Sequence, residues 1–308
     1  MPPDLAGVWV PLVTPLNVVA AVDADALARL GARVLGDGCT GLVALGTTGE
    51  PATLRPAERR LVVDVCADVC VAAGKPLMVG VGSNSTEATI DDLGALENTP
   101  ALTAFLVVVP YYTRPTVAGI IDHYRAIAAA AHVPIVVYNV PYRTGRGLDA
   151  DALLEVADIP GIVGVKQAVG ALDLDTLELL RRKPRDFQVL AGDDAFITPT
   201  MLMGGVGAIA ASAHVCTDQF VQMIAAARAG DSSTAAALAH ALLPVVTAGF
   251  AEPNPACWKS ALCALGELPT QILRPPMTAA SPTATAALLN AIEVARGSAL
   301  RRPSAASE

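Results

Sequence analysis

The chain has 308 residues, 53% of them hydrophobic and 16% charged, with a mean hydropathy of +0.49. That balance excludes a disordered chain, and the length excludes a small stapled domain. A net charge of -8 and a pI near 5.0 exclude a surface built for nucleic acid or an anionic membrane, which needs a basic field.

Aliphatic strand-like runs alternate with helix-period segments along about two thirds of the chain. In order, strands are predicted at Gly7–Val13, Gly41–Leu45, Pro76–Val81, Ala104–Val109, Pro134–Tyr138, Ile162–Val165, Phe187–Ala191 and Gly207–Ala210. The helices predicted between them are Asp25–Leu35, Pro56–Val71, Thr86–Glu97, Val117–Ala131, Ala150–Ala157, Leu172–Leu180 and Ile197–Met203. Eight β–α units with strands apolar on both faces point to a parallel (β/α)8 TIM barrel, with a doubly wound open sheet as the alternative. Further helical patterns follow at Thr217–Ala229, Ser232–Ala248, Ala256–Leu265 and Thr283–Ala295. The expected organisation is therefore a barrel over 1–215 that holds the active site, an all-helical C-terminal extension over 216–296, and a flexible tail over 297–308.

His, Pro, Gly and charges break every apolar run short of the roughly 18 to 20 residues of a membrane span. The N-terminal MPPDLAGVWVPLVTP lacks the basic and apolar regions of a secretory signal, so a cytoplasmic location is expected. The cysteines, Cys39, Cys66, Cys70, Cys216, Cys257 and Cys263, show no CxxC spacing and no nearby paired histidines, which reads as buried thiols rather than zinc ligands or disulfides.

Of 21 basic residues only four are lysines: Lys75, Lys166, Lys183 and Lys259. Lys166 closes the aliphatic strand GIVGVKQ, where a charged ammonium is stripped of water and the neutral, nucleophilic amine is favoured. Arginine can neither lose its proton there nor form an imine, so lysine scarcity singles out Lys166. The bland alternative is a lysine that snorkels or pairs with Asp193.

In such barrels the chemistry sits at the C-terminal strand ends. Those positions carry Gly46-Thr47-Thr48-Gly49-Glu50, Pro110-Tyr111-Tyr112, Tyr138-Asn139-Val140-Pro141, Lys166, Gly192-Asp193-Asp194 and Ile209. An imine between a lysine and a 2-oxo acid makes an electron sink without a cofactor, and the adjacent carbon can then lose a proton and attack an aldehyde. Tyr138 offers a phenol to shuttle protons, and Thr47 and Thr48 offer hydroxyls and backbone N–H groups to an anion. Rim packing and a tight turn are their bland alternatives. Arg143 has a planar fork suited to a second carboxylate, or is simply a surface arginine. Asp193-Asp194 lacks the partners of a metal site, so loop capping is expected and no metal is assigned. His123, His132, His214 and His240 are given no catalytic role.

The blocks GTTGEPATL, VVPYYTRPT, YNVPYRTG, GIVGVKQA, LAGDDA and EPNP, followed by LRPPMT, resemble the dihydrodipicolinate synthase branch of the pyruvate-dependent, Schiff-base-forming aldolases, which include N-acetylneuraminate lyase. The resemblance runs in order from Val10 to Thr278. It implies that Lys166 forms the imine with pyruvate and that Tyr138 gives and takes protons. Thr47 would link Tyr138 to Tyr112, which reaches across a tight dimer, while Thr48, Gly192 and Ile209 would contact bound pyruvate. Arg143 would hold the carboxylate of L-aspartate 4-semialdehyde, a homotetramer built as a dimer of tight dimers is implied, and no cofactor is. Asn84 and Tyr111 match a lysine effector pocket, but its glutamate position falls on Ala88, and Pro56 and Arg59 replace histidines. Gln167 stands where the synthases carry glutamate.

Three functions compete on the sequence. The first is condensation of pyruvate with aspartate semialdehyde to 4-hydroxy-tetrahydrodipicolinate. The second is another 2-oxo-acid aldolase, of N-acetylneuraminate or sugar-acid lyase type, and the third is a non-catalytic barrel that senses a 2-oxo acid or lysine. The joint presence of Lys166, Tyr138 and Thr47 weighs against the third.

Overall fold

Each of the eight aliphatic runs forms a strand, and the strands pair in chain order into one closed parallel barrel in the computed structural model, which describes residues 2–299. They are β1 (Gly7–Pro11), β2 (Gly41–Ala44), β3 (Leu77–Val81), β4 (Leu102–Val108), β5 (Ile135–Asn139), β6 (Ile162–Gln167), β7 (Gln188–Ala191) and β8 (Gly207–Ile209). β1 closes the ring on β8, with Trp9 opposite Ile209.

Alternation along each strand splits the core in two. Trp9, Val43, Met78, Leu106, Val136, Leu190 and Ile209 fill the barrel interior, while Val8, Val10, Leu42, Val79, Phe105, Val137 and Val189 belong to the larger core under the helices. β2, β3 and β5 are buried along their whole length, as parallel strands covered on both faces must be.

The helices are α1 (Ala24–Gly36), α2 (Pro56–Ala73), α3 (Thr86–Leu96), α4 (Val117–Ala130), α5 (Pro141–Thr144), α6 (Ala150–Ala157), α7 (Leu174–Arg182), α8 (Ile197–Leu202), α9 (Thr217–Arg228), α10 (Ser232–Gly249), α11 (Ala256–Ala264) and α12 (Pro282–Ala299). Side-chain caps set most of the starts. Asp23, Ser85, Thr116, Asp149, Asp173 and Asp231 each accept an orphan backbone N–H three residues on. The cap at Asp173 explains why α7 begins at Leu174 rather than Leu172. α5 is a single turn opened by Pro141 and closed by the left-handed Gly145, too short to leave a periodic signal.

α9 packs on β1 and α8, so the first helix beyond residue 215 also stands in the ring around the barrel. α10 corrects the reading that every apolar run is too short. His240 and Pro244 lie inside one continuous helix of 18 residues with hydropathy 1.2, long and apolar enough by length and composition to cross a membrane. In this fold it packs against α9 and α12 and buries Ala235, Leu238, Leu242 and Val245. Of the tail expected over 297–308, residues 297–299 continue α12, and from residue 300 on it lies outside the described residues.

Candidate active site

The register of β5 and β6 places Tyr138 opposite Lys166. Neighbours in a parallel sheet point the same way, so both side chains turn into the barrel mouth. Lys166 is 7% exposed, and its Nζ lies 4.3 Å from the centroid of the Tyr138 ring. The phenol face thus covers the ammonium with the negative side of its quadrupole. No carboxylate lies within ion-pair distance of Lys166 among the described residues, so the expected alternative partner, Asp193, does not hold it.

Asp193 instead accepts the backbone N–H of Gly170 at 2.6 Å. Burial raises its pKa, opposed by that hydrogen bond and by the charges of Lys166 and Arg143. Asp194 accepts the N–H of Ser212 at 2.7 Å, and burial pushes its carboxyl up to about 6. The pair therefore caps two loops, as expected. Gly192 lies between them and Lys166, and a side chain there would meet Lys166 Cγ at 2.9 Å and Ala168 Cβ at 2.7 Å. Only glycine leaves the lysine stem room. Ile209, 1% exposed, faces the barrel interior.

Thr47–Gly49 form one 3-10 turn at the end of β2. The first N–H groups of such a turn have no internal partner and are free for an anion. Thr48 is buried, Thr47 half-buried, and Thr14 Oγ1 donates to the Gly49 carbonyl at 2.7 Å. The segment before α11 reaches the same turn, where Asn254 Nδ2 donates to Thr48 Oγ1 at 3.0 Å. From α11, Lys259 Nζ donates to Glu50 Oε1 at 2.8 Å, with side-chain exposures of 0% and 5%. Glu50 is left-handed at φ 55, a conformation the surroundings must enforce on a non-glycine residue.

These contacts correct the lysine argument. Lys259 is more deeply buried than Lys166, so scarcity marks two lysines, one at the barrel mouth and one clamping it. Thr48 and Asn254 lie in the GTTGE and EPNP blocks, but nothing in their spacing announces a contact across 206 residues.

Arg143 sits on α5 with its guanidinium carbon 5.4 Å above the Tyr142 ring, on the wall of a cavity of about 500 Å³ shared with Tyr111, Tyr112 and Arg114. A neighbouring cavity of about 220 Å³ is lined by Thr47, Arg59, Gly80, Tyr111 and Tyr138. Lys166 is not on that wall. Tyr112 is 86% exposed with φ 70, and within one chain no hydrogen bond joins it to Thr47 or Tyr138. Asn84 and Ala88 are exposed near the start of α3, outside the lining of both cavities. Arg59 is held by Asp92 at 3.2 Å.

Gln167 points outward, away from Lys166. Its Oε1 accepts from Asn139 Nδ2 at 3.0 Å and its Nε2 donates to Thr176 Oγ1 at 3.1 Å. All six cysteines are free, five of them buried, and burial pushes Cys39 and Cys70 up to about 12. His214 is buried and neutral, accepting from the Val13 N–H at 3.1 Å, and burial lowers its pKa to about 4.

The model of the dihydrodipicolinate synthetase family matches residues 4–295. The chain belongs to this family. A 4-hydroxy-tetrahydrodipicolinate synthase of Moorella thermoacetica is 40% identical over 272 residues, covering 88% of this chain and 91% of the relative. The crystal structure of the dihydrodipicolinate synthase of Thermotoga maritima superposes with a TM-score of 0.91 at 31% identity, covering 96% of this chain and 99% of that one. The chloride-inhibited synthase of Acinetobacter baumannii, complexed with pyruvate, gives a TM-score of 0.91 at 34% identity, covering 95% and 99%. For a member of the dihydrodipicolinate synthetase family, the outward turn of Gln167 matters, because it removes that residue from the list of groups that touch substrate.

Proposed function

We propose that this chain is a 4-hydroxy-tetrahydrodipicolinate synthase, condensing pyruvate with L-aspartate 4-semialdehyde with loss of water. The observation that carries the reading is the buried Lys166 amine set against Tyr138 at the barrel mouth. The Lys166 amine, having given up its proton, attacks the pyruvate carbonyl carbon, the carbinolamine loses water, and the imine forms. The methyl carbon then gives up a proton, and the enamine attacks the aldehyde of the semialdehyde. Attack of that substrate's own amino group on the imine carbon closes the ring and returns Lys166 as the amine. Tyr138 moves the protons in these steps, a reading supported by its phenol lining the same cavity as Thr47. Thr48, Gly192 and Ile209 hold the pyruvate, and Arg143 on the adjoining cavity holds the semialdehyde carboxylate.

Tyr112, exposed and strained at the rim, fits a role across a tight dimer, and we extend the reading to a homotetramer of two such dimers. Six unpaired thiols fit the reducing cytoplasm. Asn84 and Tyr111 would belong to an effector pocket whose carboxylate position is Ala88. Borohydride reduction in the presence of pyruvate, followed by peptide mass mapping, tests the chemistry. A pyruvyl adduct on Lys166 is expected, and its absence overturns the reading. Turnover of aspartate semialdehyde, and none of N-acetylneuraminate or sugar acids, is then the expected substrate profile.

A further inference from the structure

The contact between Asn254 and Thr48 has a direction. A hydroxyl carries one proton and two acceptor lone pairs. Asn254 Nδ2 donates to Thr48 Oγ1 at 3.0 Å and so fills one lone pair, leaving the Thr48 proton uncommitted. Thr48 is 3% exposed, so bulk water does not supply a competing partner. The two segments that meet at this contact are each held nearby. The Lys259–Glu50 pair ties α11 to Glu50 at 2.8 Å, two residues beyond Thr48, and Thr14 ties the intervening Gly49 carbonyl at 2.7 Å. The amide oxygen of Asn254 is buried without a hydrogen-bond partner. If the amide were reversed, its oxygen would capture the Thr48 proton instead.

We propose that Asn254 is a positioning residue, which polarises the Thr48 hydroxyl so that its proton is given to the carboxylate of the bound 2-oxo acid. The inference rests on the pyruvate reading above. It assigns the C-terminal segment a part in substrate binding, delivered through a hydroxyl that belongs to β2's turn. Asparagine suits this because its amide donates without bringing a charge. An aspartate of the same shape would accept the Thr48 proton and set a negative charge near the substrate's own.

The test uses the full-length protein and the pyruvate dependence of borohydride trapping, with semialdehyde turnover and melting temperature measured beside it. Wild type must trap pyruvate; if it does not, the functional reading fails before this one is tested. Asn254→Asp is expected to raise half-saturating pyruvate by roughly 10- to 100-fold, the range for losing a hydrogen bond to a charged group. The KM for semialdehyde should change little. In a Thr48→Val background the same replacement should cost clearly less than in wild type, leaving only the part due to its charge, because the hydroxyl it acts through is gone. An unchanged pyruvate dependence in Asn254→Asp overturns the proposal, as does an effect of undiminished size in the Thr48→Val background. Should Asn254→Asp not fold, the cycle of Asn254→Ala with Thr48→Val decides: coupling is expected, and additive losses overturn it.

Discussion

Tyr138 and Lys166 are Cα partners across β5 and β6, and that pairing holds the phenol ring 4.3 Å from the ammonium nitrogen. Lys166→Arg keeps a cation over the ring but cannot form an imine. It is expected to fold, to trap no pyruvate and to show no turnover. Tyr138→Phe keeps the packing and loses the proton shuttle, so adduct formation persists while kcat falls by about 10²- to 10⁴-fold. A Lys166→Arg protein that still traps pyruvate would contradict the assignment.

Arg143 lies on a different cavity wall from Thr47 and Tyr138, and on the proposed reading it meets the semialdehyde rather than pyruvate. Arg143→Ala should leave pyruvate trapping within about twofold of wild type and lower kcat/KM for the semialdehyde by roughly 10- to 100-fold, the range for a lost charge-assisted hydrogen bond. Equal losses in both assays would remove the residue from that role.

Lys259 and Glu50 form an ion pair shut away from water. Burial lowers the Lys259 pKa, and the Glu50 charge opposes the shift. Removing one partner strands the other, so Lys259→Met is expected to cost about 3–5 kcal/mol by denaturant titration. Adding Glu50→Gln should recover a large part of that loss. If the double variant is no more stable than the single one, the pair is not the source of the cost.

Two buried groups give opposing pH dependence. His214 is neutral in the fold with a pKa near 4, below its unfolded value, so its contribution is lost as pH falls from about 6.5 toward 4. Asp194 has a folded pKa near 6, above its unfolded value, so acid favours the fold as pH falls from about 6 toward 4. The two partly cancel in that window. Melting temperatures of Asp194→Asn should therefore fall more steeply with acid than wild type, and those of His214→Gln less steeply. Below about pH 4.5 a further loss comes from Glu58, which Arg274 holds down at about 2.

Gln167 is neutral within a closed chain of hydrogen bonds, since Thr176 spends its proton on Asp173 at 2.6 Å. Gln167→Glu brings a buried carboxylate without a replacement donor from Thr176. Stability is expected to drop by about 1–3 kcal/mol at neutral pH and to recover in acid as the carboxyl protonates. Pyruvate trapping should be unaffected, which distinguishes this outward-facing position from its neighbour.

The barrel was legible because its signal is local. Aliphatic runs such as Leu77–Val81 announce buried strands, and capping residues such as Asp149 fix where helices begin. Lys166 and Tyr138 were legible because both end such runs. Glu50, Asn254 and Lys259 were not, since their meaning lies in contacts more than 200 residues apart. The helix Ser232–Ala248 was legible straight through His240 and Pro244; what the run of residues did not show is that the same helix is apolar enough over 18 residues to match a membrane span while packing against α9 and α12. The single turn α5 was too brief for any period to show, although it carries Arg143.

The bonds from Asn254 to Thr48 and from Lys259 to Glu50 also set a limit on dissection. A piece of this chain ending after α9 would own all eight strands and every residue named for the imine chemistry. It would still leave the Glu50 carboxylate facing an empty place where an ammonium belongs, and the Thr48 hydroxyl free to turn. The strands are therefore not a transplantable catalytic module. Chimeras with related barrels should exchange the GTTGE turn and the EPNP-to-Lys259 stretch together, as one inherited unit.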